Sequence, residues 1–440
     1  MSKSKMINYD IYRFLTSLLF IPIYSGGRFI SSFRRYKSVL ERFGNYPQNI
    51  ISKISGSPRI WIHAVSVGEV GVAEAIINQL KIIMPNCSII ISTTTPNGLS
   101  FAMEKIESKD LCIFAPLDFV PTVKKAINSI KPDIMVFLET EIWPNWFYEC
   151  KKRGIKTALI NGRISSRSIK RYLKIKPLLK QVLKNIDTFS MICECDANRI
   201  KMLGAPNNRI SINGNAKYDL MFTGTSNDNV CYEMAKLYKI TSETPVFVAG
   251  STRGSEDEIV IDAYRIILNS FPKTILILAP RHINKVLHIQ KIVNKYGFSS
   301  QLHSELQLKE RREPVVIVDT IGELKNIYSI ASVVFCGGSI APLGGQNILE
   351  PAVWGKMVFY GPNMDDFLDA KELLESVGAG IMVKDSFDIS NKAVFYLKNQ
   401  DNLNMLGRKA REAILAHCGS SQKHANVIYK LLFNVSKFSA

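Results

Sequence analysis

From Arg59 onward the chain alternates short apolar β-rich runs with stretches of helical periodicity, a rhythm that admits few folds. Five such runs fall in the first half, at 59–65, 88–92, 133–138, 156–160 and 188–193. Five more follow at 245–250, 274–279, 314–318, 332–336 and 357–360. They are apolar along their length, the pattern of strands buried on both faces, so parallel sheets covered by helices are expected. The polar stretch 221–229 breaks the rhythm near the middle. An α/β protein follows, with two doubly wound, Rossmann-like domains facing a cleft and ligands at the carboxyl ends of the strands. The expected divisions are 1–26, an N-terminal membrane anchor; 27–222, the first domain; 223–229, a linker; and 230–401, the second domain. Residues 402–440 are expected to form a helical segment packing back across both domains.

Apolar residues make up 46% of the 440, which suits large packed cores and excludes a disordered chain. The formal charge of +18 points to an anionic partner: nucleic acid, an acidic membrane surface or a phosphorylated substrate. No nucleic-acid module or interleaving of basic and aromatic residues accompanies the charge, so no nucleic acid is expected. Of eight scattered cysteines only Cys193 and Cys195 lie close together. Without CxxC or metal-ligand spacing, they read as reduced cytosolic thiols and no metal site.

The run 14–24, FLTSLLFIPIY, is apolar but for Thr16 and Ser17 and is interrupted by Pro22. It is shorter than the roughly 20 apolar residues of a bilayer span. Arg28, Arg34, Arg35 and Lys37 follow it and suit anionic headgroups. An interfacial anchor is favoured over a signal-anchor span and over a buried core helix.

Polar loops recur where strands are expected to end. HAVSVGE at 63–69 sets Glu69 at a helix start, where a carboxylate either takes a proton from an attacking hydroxyl or only caps the helix. ETEIWPN at 139–145 places Glu139 and Glu141 beside an indole, and NGRIS at 161–165 ends the next strand. Between Gly162 and Ile186 stand eight Lys/Arg and no acid, which favours an anionic lipid or membrane over an ordinary solvated face. GNAKYD at 214–219 supplies Lys217, a cation able to neutralise a leaving phosphate. GSTR at 250–253, APRH at 279–282 and DTIGEL at 319–324 end strands of the second half.

CGGSIAPLGGQNILEPAVWGK fills 336–356. Gly337, Gly338, Gly344 and Gly345 are expected to let a ligand press against bare backbone. Asn347 is expected to start a helix whose N-terminus attracts a phosphate and whose Glu350 holds a ribose. An ordinary strand-loop-helix corner is the competing reading.

Taken in order, these motifs resemble the 3-deoxy-D-manno-oct-2-ulosonic acid (Kdo) transferases, membrane-associated GT-B enzymes of lipopolysaccharide synthesis. The resemblance spans nearly the whole chain. It implies Glu69 as general base, and Glu139 and Lys217 in stabilising the transition state. It assigns a cytidine monophosphate pocket to Pro280, Arg281, Gly322, Glu323, Leu324, Asn347, Ile348, Leu349 and Glu350. The implied donor is CMP-Kdo, the acceptor an anionic lipid A precursor (lipid IVA), the chemistry inverting and without metal or other cofactor. The implied location is the cytoplasmic face of the inner membrane. Arg253, Ile283 and Gln346 depart from the family's usual residues, and no role is carried over to them. A sugar-nucleotide epimerase or a non-catalytic membrane-binding protein would share some of these features. The first has little need of the anchor and basic stretch, and the second leaves the strand-end loops without a purpose.

Overall fold

The computed structural model describes residues 7–31, 36–107, 110–222 and 228–434. Arg34, Arg35 and linker residues 223–227 lie outside them. The chain divides into two compact units, Met1–Leu220 with His417–Ala440, and Met221–Ala416.

The first unit holds seven parallel strands: β1 (Arg59–His63), β2 (Ser88–Thr93), β3 (Leu111–Phe114), β4 (Ile134–Leu138), β5 (Lys156–Gly162), β6 (Thr188–Met191) and β7 (Ile210–Ile212). Their order is β3-β2-β1-β4-β5-β6-β7. Alternate side chains serve opposite faces. Trp61, Met135, Phe137, Leu159 and Phe189 build one core layer, and Ile60, Ile62, Val136, Leu138 and Ile160 build the other. Each is fully buried, and burying one such side chain contributes about 1.5–3 kcal/mol. That two-sided demand is why the strands read as continuous apolar runs. Helix Val67–Ile83 covers the second layer through Val70, Ala73, Ile76 and Leu80, joined by Ala425 and Ile428 of Ser420–Leu432.

The second unit repeats the plan with β8 (Val246–Thr252), β9 (Ile275–Pro280), β10 (Ser300–Leu302), β11 (Val315–Ile317), β12 (Val333–Cys336), β13 (Val358–Tyr360) and β14 (Gly380–Met382). The order is β10-β11-β9-β8-β12-β13-β14, again parallel. The 402–440 segment is shared: helix Gln400–Leu415 lies in the second unit and Ser420–Leu432 in the first. Helix Asp228–Leu237 begins inside the segment read as linker.

All ten expected strands form. The first sheet's order reverses between β1 and β4; in the second, where β10 and β11 are also interchanged at one edge, the crossover from one half to the other lies between β8 and β12. Loops leaving the carboxyl ends diverge there, which makes these two points the natural ligand crevices of a doubly wound sheet.

The N-terminal run lies in helix Ile7–Ser31, which continues through Pro22. Among the described residues no helix is long and apolar enough to cross a membrane. Nor is it a core helix, because Ile11, Phe14, Leu15, Leu18, Leu19, Ile21 and Ile23 are exposed. Its other side is tied to the first unit. The Tyr9 hydroxyl donates to Asn145 Oδ1 (3.0 Å) and the Tyr12 hydroxyl to Asp118 Oδ2 (2.7 Å).

Candidate functional site

Glu69 sits in the first turn of helix Val67–Ile83, just past β1 at the switch point of the first sheet. Ser66, the N-cap, accepts the Glu69 N–H at 3.4 Å, and its hydroxyl donates to Glu69 Oε1 at 3.1 Å. Glu69 Oε2 accepts the Val65 N–H at 2.7 Å. The capping reading is therefore realised, and it does not compete with the base reading: one carboxylate is held in place by the cap contacts. Burial pushes its pKa up to about 7, against the pull of the Val65 N–H, and repulsion from Glu139 and Glu141 adds to the rise. A carboxyl poised near neutrality suits general-base work.

Glu139 directly follows β4, on the other side of the same switch point. Its backbone is left-handed (φ 52°), a conformation uncommon for a residue with a Cβ and one that concentrates at functional sites. Its Oε1 accepts Lys217 Nζ at 2.6 Å. The pair is partly exposed, so it contributes little stability; what it does is fix an ammonium beside the acids. The lysine's loop is pinned from two directions. Asn161 Oδ1, at the end of β5, accepts the Ala216 N–H (2.9 Å). The Asp219 carboxylate accepts the Gly419 and Ser421 N–H groups, each at 2.6 Å, and so holds the start of Ser420–Leu432. NGRIS and GNAKYD thus work together to place Lys217. Nothing in their sequence spacing announces the Asn161–Ala216 bond.

His63 is buried, with Nδ1 3.0 Å from Ser92 Oγ and Nε2 3.9 Å from Glu141 Oε2. Burial pushes its pKa down to about 4, so it is neutral at pH 7 and does not titrate near neutrality. Glu141 accepts the Trp143 indole N–H at 2.7 Å and is itself raised by burial. Its place beside Glu69 makes it a tuning group, and this gives a pH test. Removing its charge in Glu141→Gln lowers the Glu69 pKa. An acid limb of kcat/KM set by Glu69, expected near pH 7, should then move to lower pH. An acid limb that stays in place would remove Glu141 from this role.

In the second unit Pro280 ends β9 and Arg281 follows, its N–H bonded to Thr252 O at 3.1 Å. Gly322, left-handed at φ 98°, and Glu323 lead into Leu324–Ile327. Asn347 Oδ1 accepts the Leu349 N–H (3.2 Å), and its Nδ2 donates to Glu350 Oε1 (3.3 Å). Glu350 is raised by burial, while Asn347, Lys325 and Arg281 oppose the rise, so two cations face this acid. Ile348 and Leu349 are buried and offer a ligand only their backbone.

Two expectations for 336–356 need correction. The helix there begins at Leu349 and ends at Ala352, one turn whose dipole is too small to serve as a phosphate site. The glycine-rich backbone is also not free. Glu256, 0% exposed, accepts N–H bonds from Arg253 (2.9 Å), Gly338 (2.6 Å), Ser339 (2.9 Å) and Ile340 (2.8 Å). At Gly337 an added Cβ would come within 2.5 Å of Thr252 Cα, so the missing side chain serves internal packing. Gly344 and Gly345 likewise press on Asp366 and Met364. The protein's own carboxylate occupies amides that the sequence reading offered to a ligand. Glu256 stands among Glu256, Asp257 and Glu258 in a first helical turn, where sequence shows only acids complementing a helix start. Arg253 and Gln346 both flank Gly338.

Despite the absence of metal-ligand spacing in sequence, Cys193, Cys195 and Asp196 converge with possible ligand atoms within 4.8 Å of one another. The trio is hydrogen-bonded internally. The Cys193 thiol donates to Asp196 Oδ2 (2.9 Å), and burial, that bond and Cys195 push its pKa up to about 12.

Residues 37–220 match a family profile described as 3-deoxy-D-manno-octulosonic-acid transferase (kdotransferase). The chain is similar to the 3-deoxy-D-manno-octulosonic acid transferase of Haemophilus influenzae, 30% identical over 417 residues that cover 93% of this chain and 96% of that protein. A bifunctional glycosyltransferase/methyltransferase of Fusobacterium nucleatum is 34% identical over 361 residues, 80% of this chain. The chain spans about half of that larger relative, 54% of its length. Among solved structures, a glycosyltransferase from Rickettsia africae superposes with a TM-score of 0.55 at 14% identity, covering 86% of this chain and 99% of that one. That likeness bears on the fold alone, and with the two parallel sheets it supports the two-domain α/β GT-B fold.

Proposed function

Because this chain belongs to the 3-deoxy-D-manno-octulosonic acid transferase family, we propose that it is an inverting, metal-independent enzyme moving Kdo from CMP-Kdo to lipid IVA in lipopolysaccharide biosynthesis. One observation carries the reading: a carboxyl with a pKa near 7, Glu69, at the same switch point as the Glu139–Lys217 pair. In this reading Glu69 takes the proton from an acceptor-sugar hydroxyl as its oxygen attacks the anomeric carbon. The bond to the phosphate of CMP breaks on the opposite face, which inverts the centre. Lys217, oriented by Glu139, balances negative charge developing on the leaving group. Pro280, Arg281, Gly322, Glu323, Leu324, Asn347, Glu350 and the backbone of Ile348 and Leu349 hold the nucleotide. With these cations assigned to the phosphate, no metal or other cofactor is invoked.

The test is direct. Purified protein with CMP-Kdo and lipid IVA in EDTA should release CMP and give a lipid product heavier by Kdo in mass spectrometry. No product, or product only after Mg²⁺ is restored, sinks the corresponding part of the proposal. Turnover of UDP-sugars without transfer would point to an epimerase instead.

The second part of the proposal places the enzyme on the cytoplasmic face of the inner membrane. The exposed apolar row of helix Ile7–Ser31 suits shallow burial among lipid tails. Helix Lys176–Leu183 neighbours it, with the Tyr9 N–H bonded to Gln181 Oε1 at 3.3 Å. Lys170, Arg171, Lys174, Lys176, Lys180 and Lys184 on this stretch are exposed, and among the described residues they form no ion pair with an acid. Leu173 and Ile175 are exposed between them. Exchanging Lys170, Arg171 and Lys174 for Gln should raise KM for the lipid acceptor and leave KM for CMP-Kdo unchanged. The effect should shrink with salt, since exposed charges are screened over about 8 Å at physiological ionic strength. An acceptor KM that does not move at low salt would reduce the stretch to an ordinary solvated face.

A further inference from the structure

The second unit carries a polar cavity of about 370 Å³ at the amino-terminal edge of its sheet. Thr244, Ser332 and Met357 line it, just before the starts of β8, β12 and β13. Loops at the carboxyl ends of parallel strands leave from the opposite edge, and this cavity includes none of the residues assigned to the nucleotide, touching the 336–356 stretch only at its far end, Gly355 and Lys356. A volume of this order is within the range of small-molecule sites, about 300–1,000 Å³.

Lys356 lines the cavity and points to the kind of ligand. It is largely buried, burial pushes its pKa down, and among the described residues no acid forms an ion pair with it. The residue is not sealed from solvent, but an ammonium partly withdrawn from water without a counter-charge is less favourable than a free one, and an anion seated beside it offsets that cost. Further donors are at hand. Ser332 Oγ accepts the Val246 N–H at 3.1 Å, which leaves its own hydrogen to donate. The Asn404 and Ser242 side chains, both of exposed residues, also line the cavity and are available to donate. Several donors around one cation match the oxygens of a phosphate better than the two of a carboxylate.

We propose that this cavity binds the phosphate monoester of a soluble small molecule, with Lys356 as counter-charge and Ser332 and Asn404 orienting the phosphate oxygens. The polar remainder of the lining, including Thr241 and Gln400, suits a hydroxylated body attached to that phosphate.

Cys231, exposed and part of the same lining, is a built-in reporter. Full-length protein is treated with iodoacetamide, and alkylation of Cys231 is followed by mass spectrometry, with the exposed Cys195 as internal control. Inorganic phosphate and glycerol 3-phosphate should each slow labelling of Cys231 and spare Cys195, while sodium chloride at matched ionic strength should do neither. Lys356→Met should raise the half-protecting phosphate concentration by about tenfold or more, the loss of one charge-assisted bond. Asn404→Ala should shift it in the same direction by less, and it carries the test if Lys356→Met fails to fold. No protection by phosphate, or equal half-protection in the native protein and the variants, overturns the proposal. Protection by phosphatidic acid vesicles and not by the soluble phosphates overturns it as well, in favour of a lipid headgroup.

Discussion

Glu69→Gln is expected to lower kcat by about 10²–10⁴-fold, the usual contribution of a positioned proton acceptor, while the protein stays folded and binds CMP-Kdo as before. Gln preserves the local architecture: its amide oxygen can still accept the Val65 N–H, and its NH₂ can still meet Ser66 Oγ. What it cannot do is take a proton. The acid limb near pH 7 should disappear along with the rate, because the group that titrates there is gone. Residual turnover should be nearly independent of pH across 6–8. The measurement is single-turnover transfer across pH, with CMP-Kdo affinity determined separately by calorimetry. A variant within a few fold of the native rate would leave Glu69 as a helix cap and send the search for the base elsewhere.

The sequence was most legible where the physics is periodic. The ten apolar runs could be read because both faces of each sheet are covered, which forces Ile, Val, Leu and Phe into unbroken rows. Four strands escaped: β3, β7, β10 and β14, which are the two outer strands of each sheet. They have only three or four residues, and Ile210–Ile212 includes the exposed Ile212. An edge strand packs on fewer neighbours, so its composition is freer and its pattern fades. At the site, residues adjacent in sequence to a strand end were legible, Glu69 and Glu139 among them. Asn161, Asp219 and Glu256 were not, because each acts on backbone amides distant in sequence, at 216, at 419 and 421, and at 338–340. Their side chains carry no mark of which loop they will hold. Gly337 misled for a related reason: a glycine that admits a ligand and one that admits a neighbouring strand end look identical in sequence.

Glu256 is the residue whose loss should cost the most stability. Its two oxygens satisfy the amides of Arg253, Gly338, Ser339 and Ile340 within a fully buried site. Truncation in Glu256→Ala leaves those donors without a partner, at about 1–3 kcal/mol for each buried group that stays unsatisfied. Water entering the space left behind will recover part of that, so about 4 kcal/mol is expected, at the upper end for single substitutions. For a unit of this size about 4 kcal/mol corresponds to roughly 8–16 °C in Tm. Glu256→Gln separates an anion that gathers amides from a side chain that only fills space. Gln has nearly the same volume, yet it turns one acceptor into an NH₂ facing N–H groups and removes the charge that strengthens the other bonds. It should therefore melt close to Glu256→Ala and far below the native protein in calorimetry. CMP affinity should fall in both, because Arg253 and the 337–341 turn are held at the β8/β12 switch point by this carboxylate. A Gln variant melting within about 2 °C of native would show that volume, and not anion–amide bonding, is what this position supplies.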